Sequence, residues 1–307
     1  MPFMSVQVHT RGEGWPVVVL PSFSLDHNAM AEVVEPVFAA TAGWSRLYVD
    51  LPGTGASPPG EPRSDAVLDD VVRAVDSMLG DQLFLVAGWS YGGYLAAGLA
   101  RRLLPRIGGL LMMCTGFKIR PQDRNLAGVL PSHAEPGWLA DVPAHLHDHF
   151  THAIGCQTAA VAKRVAAVLA RNGPTDEPYL AALRADGFAL SDEDLPTLCS
   201  APVSILTGRR DRVAGYADLF NSLSHYDHGD YLTISNAGHY LPLEQPRLFE
   251  AAALSWLDEC QLLLSGAHGQ SRATSVRAPA RSKITSQHDR ESASSERPAS
   301  LDANYRS

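Results

Sequence analysis

An α/β protein with a mostly parallel central sheet, helices on both faces and a helical insertion is predicted by three features of the chain. Short apolar runs alternate with amphipathic stretches over the first 116 residues, and strands joined by crossover helices lie parallel and are covered on both faces. The alternation stops between residues 117 and 200 and resumes at 201. At its centre, Gly88-Trp89-Ser90-Tyr91-Gly92-Gly93 joins the apolar run Leu83 to Ala87 to a helical one, reading as strand, sharp turn and helix. The expected division is a core of residues 1–116 and 201–264, a helical cap of 117–200 and a C-terminal tail of 265–307.

Each element has its own signal. Ser5 to His9 alternates, and Arg11-Gly12-Glu13-Gly14 separates it from Val17 to Leu20, which predicts a hairpin into a buried strand. The chain leaves that strand through Pro21-Ser22-Phe23-Ser24-Leu25-Asp26-His27, a loop at the carboxyl end of a central strand, where α/β proteins build sites. Asp26 and His27 are candidates to line a pocket there. Ala29 to Thr41 reads as helix, Leu47 to Val49 as strand and Asp50 to Ser57 as a turn-rich loop. Ser64 is expected to cap a helix with Val67, Val71, Val75 and Met78 on one face and Gly80 as its stop. The strand at Leu83, the helix after Ser90, ended by Pro105, and the strand Leu110 to Met113 follow.

Within the insertion, Gly137 to Ala153, Thr158 to Ala170 and Glu177 to Ala185 read as helices that would roof the serine turn and shape an apolar pocket. The sheet resumes with Val203 to Leu206, a helix near Tyr216 to Leu223 and the strand Tyr231 to Ile234. A last amphipathic helix runs from Arg247 to about Leu262 with Phe249, Ala253, Trp256 and Cys260 on one face. Beyond Ser265 large apolar side chains almost vanish, and the tail is expected to be disordered.

Composition narrows the function classes. The 307 residues are 45% hydrophobic and 19% charged, ordinary for a globular protein with a sizeable core. A net charge of −8 gives no electrostatic reason to expect nucleic acid or an anionic membrane as partner. No apolar run spans a bilayer and no leader pattern opens the chain, so a cytoplasmic location is expected. Cys114, Cys156, Cys199 and Cys260 are too scattered for a disulfide framework or zinc knuckle. There is no dinucleotide glycine pattern, so no cofactor is expected. The sequence carries no sign of oligomeric state.

A tight strand-to-helix turn leaves no room for side chains two residues either side of its centre, which gives Gly88 and Gly92 a mechanical reason. The turn would present Ser90 Oγ at the sheet edge, with the Tyr91 amide at a positive helix end facing a developing oxyanion. A serine nucleophile needs a base, and the base an orienting carboxylate. Gly208-Arg209-Arg210-Asp211 and Asn236-Ala237-Gly238-His239 each follow a strand, and Asp211 and His239 supply those groups in the order Ser, Asp, His. His145, His149 and His152 would share a helix face at metal-ligand spacing, but a histidine-rich exposed or pocket-facing cap helix is the preferred reading, with no metal.

The chain resembles the capped serine hydrolases of the α/β-hydrolase family, in D-x-P-G-x-G-x-S at Asp50 to Ser57, G-x-S-x-G-G at Gly88 to Gly93, G-x-x-D at Gly208 to Asp211 and Gly238-His239. The match covers about Ser5 to Leu264. The resemblance implies an acyl-enzyme mechanism on a small to medium carboxylic ester or related acyl compound, with catalytic Ser90, Asp211 and His239. It also implies that the second oxyanion donor is the Phe23 amide, although Pro21-Ser22 stands where the family usually has His-Gly. Carbon–carbon hydrolysis or acyl transfer with the same three residues, and ligand binding without catalysis, remain alternatives. Ser90, in place of an aspartate, argues against an epoxide hydrolase or dehalogenase.

Overall fold

The computed structural model describes residues 6–274. One compact unit is Met1–Ala267; the other, His268–Ser307, is described only by its helical residues up to Thr274. Seven strands form one sheet: β1 (Gln7–Arg11), β2 (Trp15–Leu20), β3 (Trp44–Asp50), β4 (Phe84–Trp89), β5 (Ile107–Met113), β6 (Val203–Gly208) and β7 (Gly229–Ile234). Their order is β1-β3-β2-β4-β5-β6-β7, with β1 antiparallel to its neighbour and the others parallel.

Successive residues of a strand face opposite sides, so the unbroken apolar run of β2 feeds two cores. Val17 and Val19 pack with α1 (His27–Ala39) and the last helix, α8 (Pro246–Thr274), through Met30, Val34, Phe249 and Trp256. Val18 and Leu20 pack with α2 (Ser64–Leu79) and α3 (Tyr91–Arg102) through Val67, Val71, Leu95 and Leu99. In α8, Phe249, Ala253, Trp256 and Cys260 are all buried. Burial of Cys114, Cys199 and Cys260 raises their thiol pKa values, and no cysteine forms a disulfide.

Between β5 and β6 lie α4 (His147–Ala153), α5 (Ala159–Leu169) and α6 (Glu177–Asp186). The Thr158 hydroxyl accepts the Val161 amide and the Asp176 carboxylate the Tyr179 amide, each the third residue of its helix, which fixes the starts of α5 and α6. The four-residue α7 (Leu241–Glu244) precedes α8. No helix among the described residues is long and apolar enough to cross a membrane.

Local order departs from the sequence expectation at five places. There is no hairpin: β3 lies between β1 and β2, because the turn at Gly12 and Gly14, at φ 70° and 117°, is packed against the Gly43 backbone. A Cβ at Gly14 would stand 2.1 Å from Gly43 O. Ser64 does not cap α2, since Arg63 holds that position without a side-chain bond; Ser64 Oγ instead donates to Phe188 O (2.6 Å). The helix expected over 137–153 is helical only as the 3₁₀ turn Ala144–Leu146 and α4, because Gly137 turns at φ 71° and Pro143 has no amide to donate. The segment near Tyr216 forms a 3₁₀ helix, Asp218–His225, instead of an α-helix. Finally, α8 runs past Ser265 to Thr274, since extending a formed helix fixes only one residue per added bond. The rest of the expected disordered tail, 275–307, lies outside the described residues.

Candidate active site

The serine turn is built by exclusion. Ser90 stands between β4 and α3 at φ 56° and ψ −117°, a conformation that L residues rarely adopt. A Cβ on Gly88 would lie 2.2 Å from Gly92 O, and one on Gly92 2.2 Å from Leu20 O. Only glycine lets the helix start and β2 approach so closely. The Ser90 amide donates to Met113 O (2.8 Å), which ties the turn to the end of β5.

Asp211 follows β6, and His239 follows β7. The structure brings both to Ser90: His239 Nε2 lies 2.8 Å from Ser90 Oγ, and His239 Nδ1 lies 2.9 Å from Asp211 Oδ2. An ionised carboxylate only accepts, so Nδ1 carries the proton and Nε2 is left to accept from the serine hydroxyl. Asp211 is buried, and its other oxygen accepts the Val213 and Ala214 amides, both at 2.8 Å. Buried Trp89 donates Nε1–H to His239 O (3.0 Å), and the His239 amide donates to Ala153 O (2.8 Å).

A residue that sequence reasoning missed holds the histidine loop. Glu244 is buried in α7, and its carboxylate accepts the amides of Gly155, Cys156, Gly238 and Tyr240 at 2.7–3.1 Å. It thereby joins the insertion to the loop carrying His239. Burial pushes the carboxyl up to about 7, against the pull of the four amides toward its charged form.

Phe23 and Tyr91 border the same cavity as Ser90 and His239. Tyr91 is the first residue of α3, so its amide has no partner within the helix. The Phe23 ring meets Tyr91 edge-on at 5.5 Å and Phe188 at 5.3 Å. The loop bearing Phe23 is strained at Ser24, φ 63°, and is gripped by the insertion. Asn172 Nδ2 donates to Ser24 O and its Oδ1 accepts the Asp26 amide, both at 2.8 Å; the Gly173 amide donates to Asp26 Oδ2 (2.9 Å).

The cavity holds about 560 Å³, with apolar walls such as Leu25, Ile119, Leu169 and Val213. His149 and His152 face it, and His149 Nε2 lies 2.7 Å from Tyr240 OH. Burial, with the neighbouring His239 and His152, pushes the His149 pKa below its ordinary value. His145 does not line the cavity. Asp26 and His27 do not line it either: Asp26 caps α1, accepting the Asn28 and Ala29 amides, and His27 turns to Asp50.

Among the described residues, His9, His27 and Asp50 are the group close enough to be tested as metal ligands. The two rings stack at 3.5 Å and 14°, each with one nitrogen on a different Asp50 oxygen, at 3.0 and 2.8 Å. A ligated metal lies near the plane of its imidazole, so two parallel rings do not converge on one ion. The carboxylate also accepts the His27 and Ala56 amides. Burial raises the Asp50 pKa, but these amides and the His27 ring outweigh it and leave it lowered. The cluster fastens β1, β3 and α1 together.

Comparison with known proteins agrees with this architecture. The profile of the Alpha/beta hydrolase family matches residues 11–252. The chain is 30% identical over 129 residues to the pimeloyl-[acyl-carrier protein] methyl ester esterase of Shewanella woodyi, covering 41% of this chain and 46% of that protein. It is 27% identical over 257 residues to the polyketide synthase ThaQ of Burkholderia thailandensis, covering 81% of this chain. The chain thus spans under half of the first relative's length and 12% of the second's. The crystal structure of an alpha/beta superfamily hydrolase from Oenococcus oeni superposes with a TM-score of 0.76 at 23% identity, over 84% of this chain and 97% of that one, a likeness of fold.

Proposed function

The chain belongs to the alpha/beta hydrolase family, and from that premise we propose that it is a serine hydrolase cleaving a small to medium carboxylic ester or related acyl compound. The observation that carries this reading is the continuous hydrogen-bonded line from Ser90 Oγ through His239 to buried Asp211, opening on a cavity of ester size. In the proposed cycle His239 Nε2 takes the Ser90 proton as Oγ attacks the acyl carbon. Asp211 keeps the imidazolium oriented and balances its charge. The Phe23 and Tyr91 amides receive the negative charge on the acyl oxygen. His239 then returns the proton to the leaving oxygen, which departs as an alcohol and leaves the acyl group on Ser90. A water, deprotonated by the same imidazole, releases the acid and restores the serine. The cycle calls for no cofactor. Similarity to an enzyme named as a methyl ester esterase supports the choice of an ester bond.

Intact mass after exposure to an organophosphonate, with Ser90→Ala alongside, tests the proposal. A single adduct on the wild type alone, followed by turnover on a panel of short and medium acyl esters, is the expected result. A folded wild type that takes up no adduct overturns it. We further propose that residues 117–200 act as a cap setting substrate size.

A further inference from the structure

We infer that the substrate carries a carboxylate besides its scissile acyl bond, and that Arg184 and Arg124 at the cavity bind it. The inference rests on the hydrolase reading above and names its substrate class. In a chain of net charge −8, the cavity is bordered, among the described residues, by two arginines and by no aspartate or glutamate. Exposed Arg184 has no carboxylate partner among the described residues. Its guanidinium lies over the Phe23 ring at 4.3 Å, which occupies its face and leaves its N–H edge open.

Arg124 is held rigidly. Its Nε and Nη2 donate to Ile119 O and its Nη1 to Val213 O (2.6 Å), all backbone carbonyls, so these bonds bring no carboxylate to it. Of the five N–H groups of a guanidinium, about two remain for a ligand. Burial lowers the Arg124 pKa, Asp211 raises it and the charge of Arg184 lowers it, so the two arginines repel each other. Asp211 lies behind His239 and is not part of the wall. Two like-charged planar forks bordering one cavity form a receptor for a planar anion, and a carboxylate pairs with such a fork through two parallel bonds. Because Arg184 sits on Phe23, which packs on Tyr91, the anion would be bound on the side of the cavity next to Ser90.

The test separates binding from turnover. Full-length Ser90→Ala is titrated calorimetrically with glutaric acid monoanilide against valeranilide, and with para-acetamidobenzoate against its amide. Wild-type turnover is compared on para-nitrophenyl hemiglutarate and valerate, and on para-acetoxybenzoate and its methyl ester. The carboxylate member should be favoured about tenfold or more in at least one acyl-side or leaving-group-side pair. The ratio should collapse toward one in Arg184→Met, recover partly in Arg184→Lys, and shrink at about 0.5 M salt. Equal or better handling of the neutral member in every pair, by a protein whose Ser90 takes up the phosphonate, overturns the inference. An Arg184-dependent carboxylate preference in binding, with Ser90 unlabelled, would instead leave this site standing and remove the hydrolase reading.

Discussion

Glu244 accepts the Gly238 amide with both carboxylate oxygens, at 2.9 and 3.0 Å, immediately before His239 in the chain. A buried acid that fixes the loop of His239, the proposed base, ties the geometry of the candidate site to its own protonation. The folded-state value of about 7 exceeds the ordinary 4.5, so the folded protein holds this proton more tightly than the unfolded chain. Its stabilising contribution is full below about pH 4.5 and is lost as pH rises through about 7, with an upper size of ~3 kcal/mol. Urea unfolding of wild type and Glu244→Gln at about pH 5 and pH 8 should show the wild type losing stability relative to the variant at the higher pH. A gap that does not move with pH contradicts this.

Replacing Ser90 or His239 by alanine should lower kcat on the best ester by at least about 10³-fold while thermal unfolding stays close to wild type. The two losses should not add in the double variant, because the residues act as one unit. Substantial turnover in either single variant removes the assignment.

Asn172→Ala cuts both bonds to the loop that carries Phe23. With the proposed oxyanion donor less fixed, kcat should fall about tenfold, a fraction of the cost of losing a donor outright. Steady-state kinetics on a neutral ester reads this as a change in kcat. A change confined to KM would place Asn172 in substrate binding only.

Gly92→Ala should destabilise the protein by about 3 kcal/mol or more, since the new Cβ meets the Leu20 and Pro21 carbonyl oxygens at 2.2 and 2.4 Å, both backbone. Gly80→Ala, with nothing within 4 Å of the new Cβ, should cost backbone strain alone, about 2 kcal/mol, because φ 51° with ψ −125° is a conformation that L residues rarely adopt. Denaturant midpoints of the two variants give the comparison, and equal losses would show that close approach is not what Gly92 is for.

The residues that meet at the site were legible because each announces itself locally. Ser90, Asp211 and His239 each follow a strand-forming run, and parallel strands place such positions on one edge. What the sequence hides is nonlocal. Alternation in Gln7–Arg11 marks a strand but not its neighbour, and β3 takes the place beside β2 that a hairpin would give to β1. Glu244 resembles any acid near a helix start, and its role arises from amides as distant in sequence as Gly155. Arg124 and Arg184 lie in a stretch whose composition says only that it folds over something. His27 beside Asp26 looked like a pocket residue, but α1 turns it toward Asp50.

The bonds from Asn172 and Gly173 to the loop after β2, with those from Glu244 to Gly155 and Cys156, set a boundary for protein engineering. A chimera that imports another hydrolase's whole insertion to change specificity would import new anchors for two loops of the candidate site at the same junctions. Grafts that exchange only the pocket-facing stretches, such as the turn of α4 bearing His149 and His152, and retain 153–157 and 172–174 would change the shape of the cavity while leaving its attachment to the core intact.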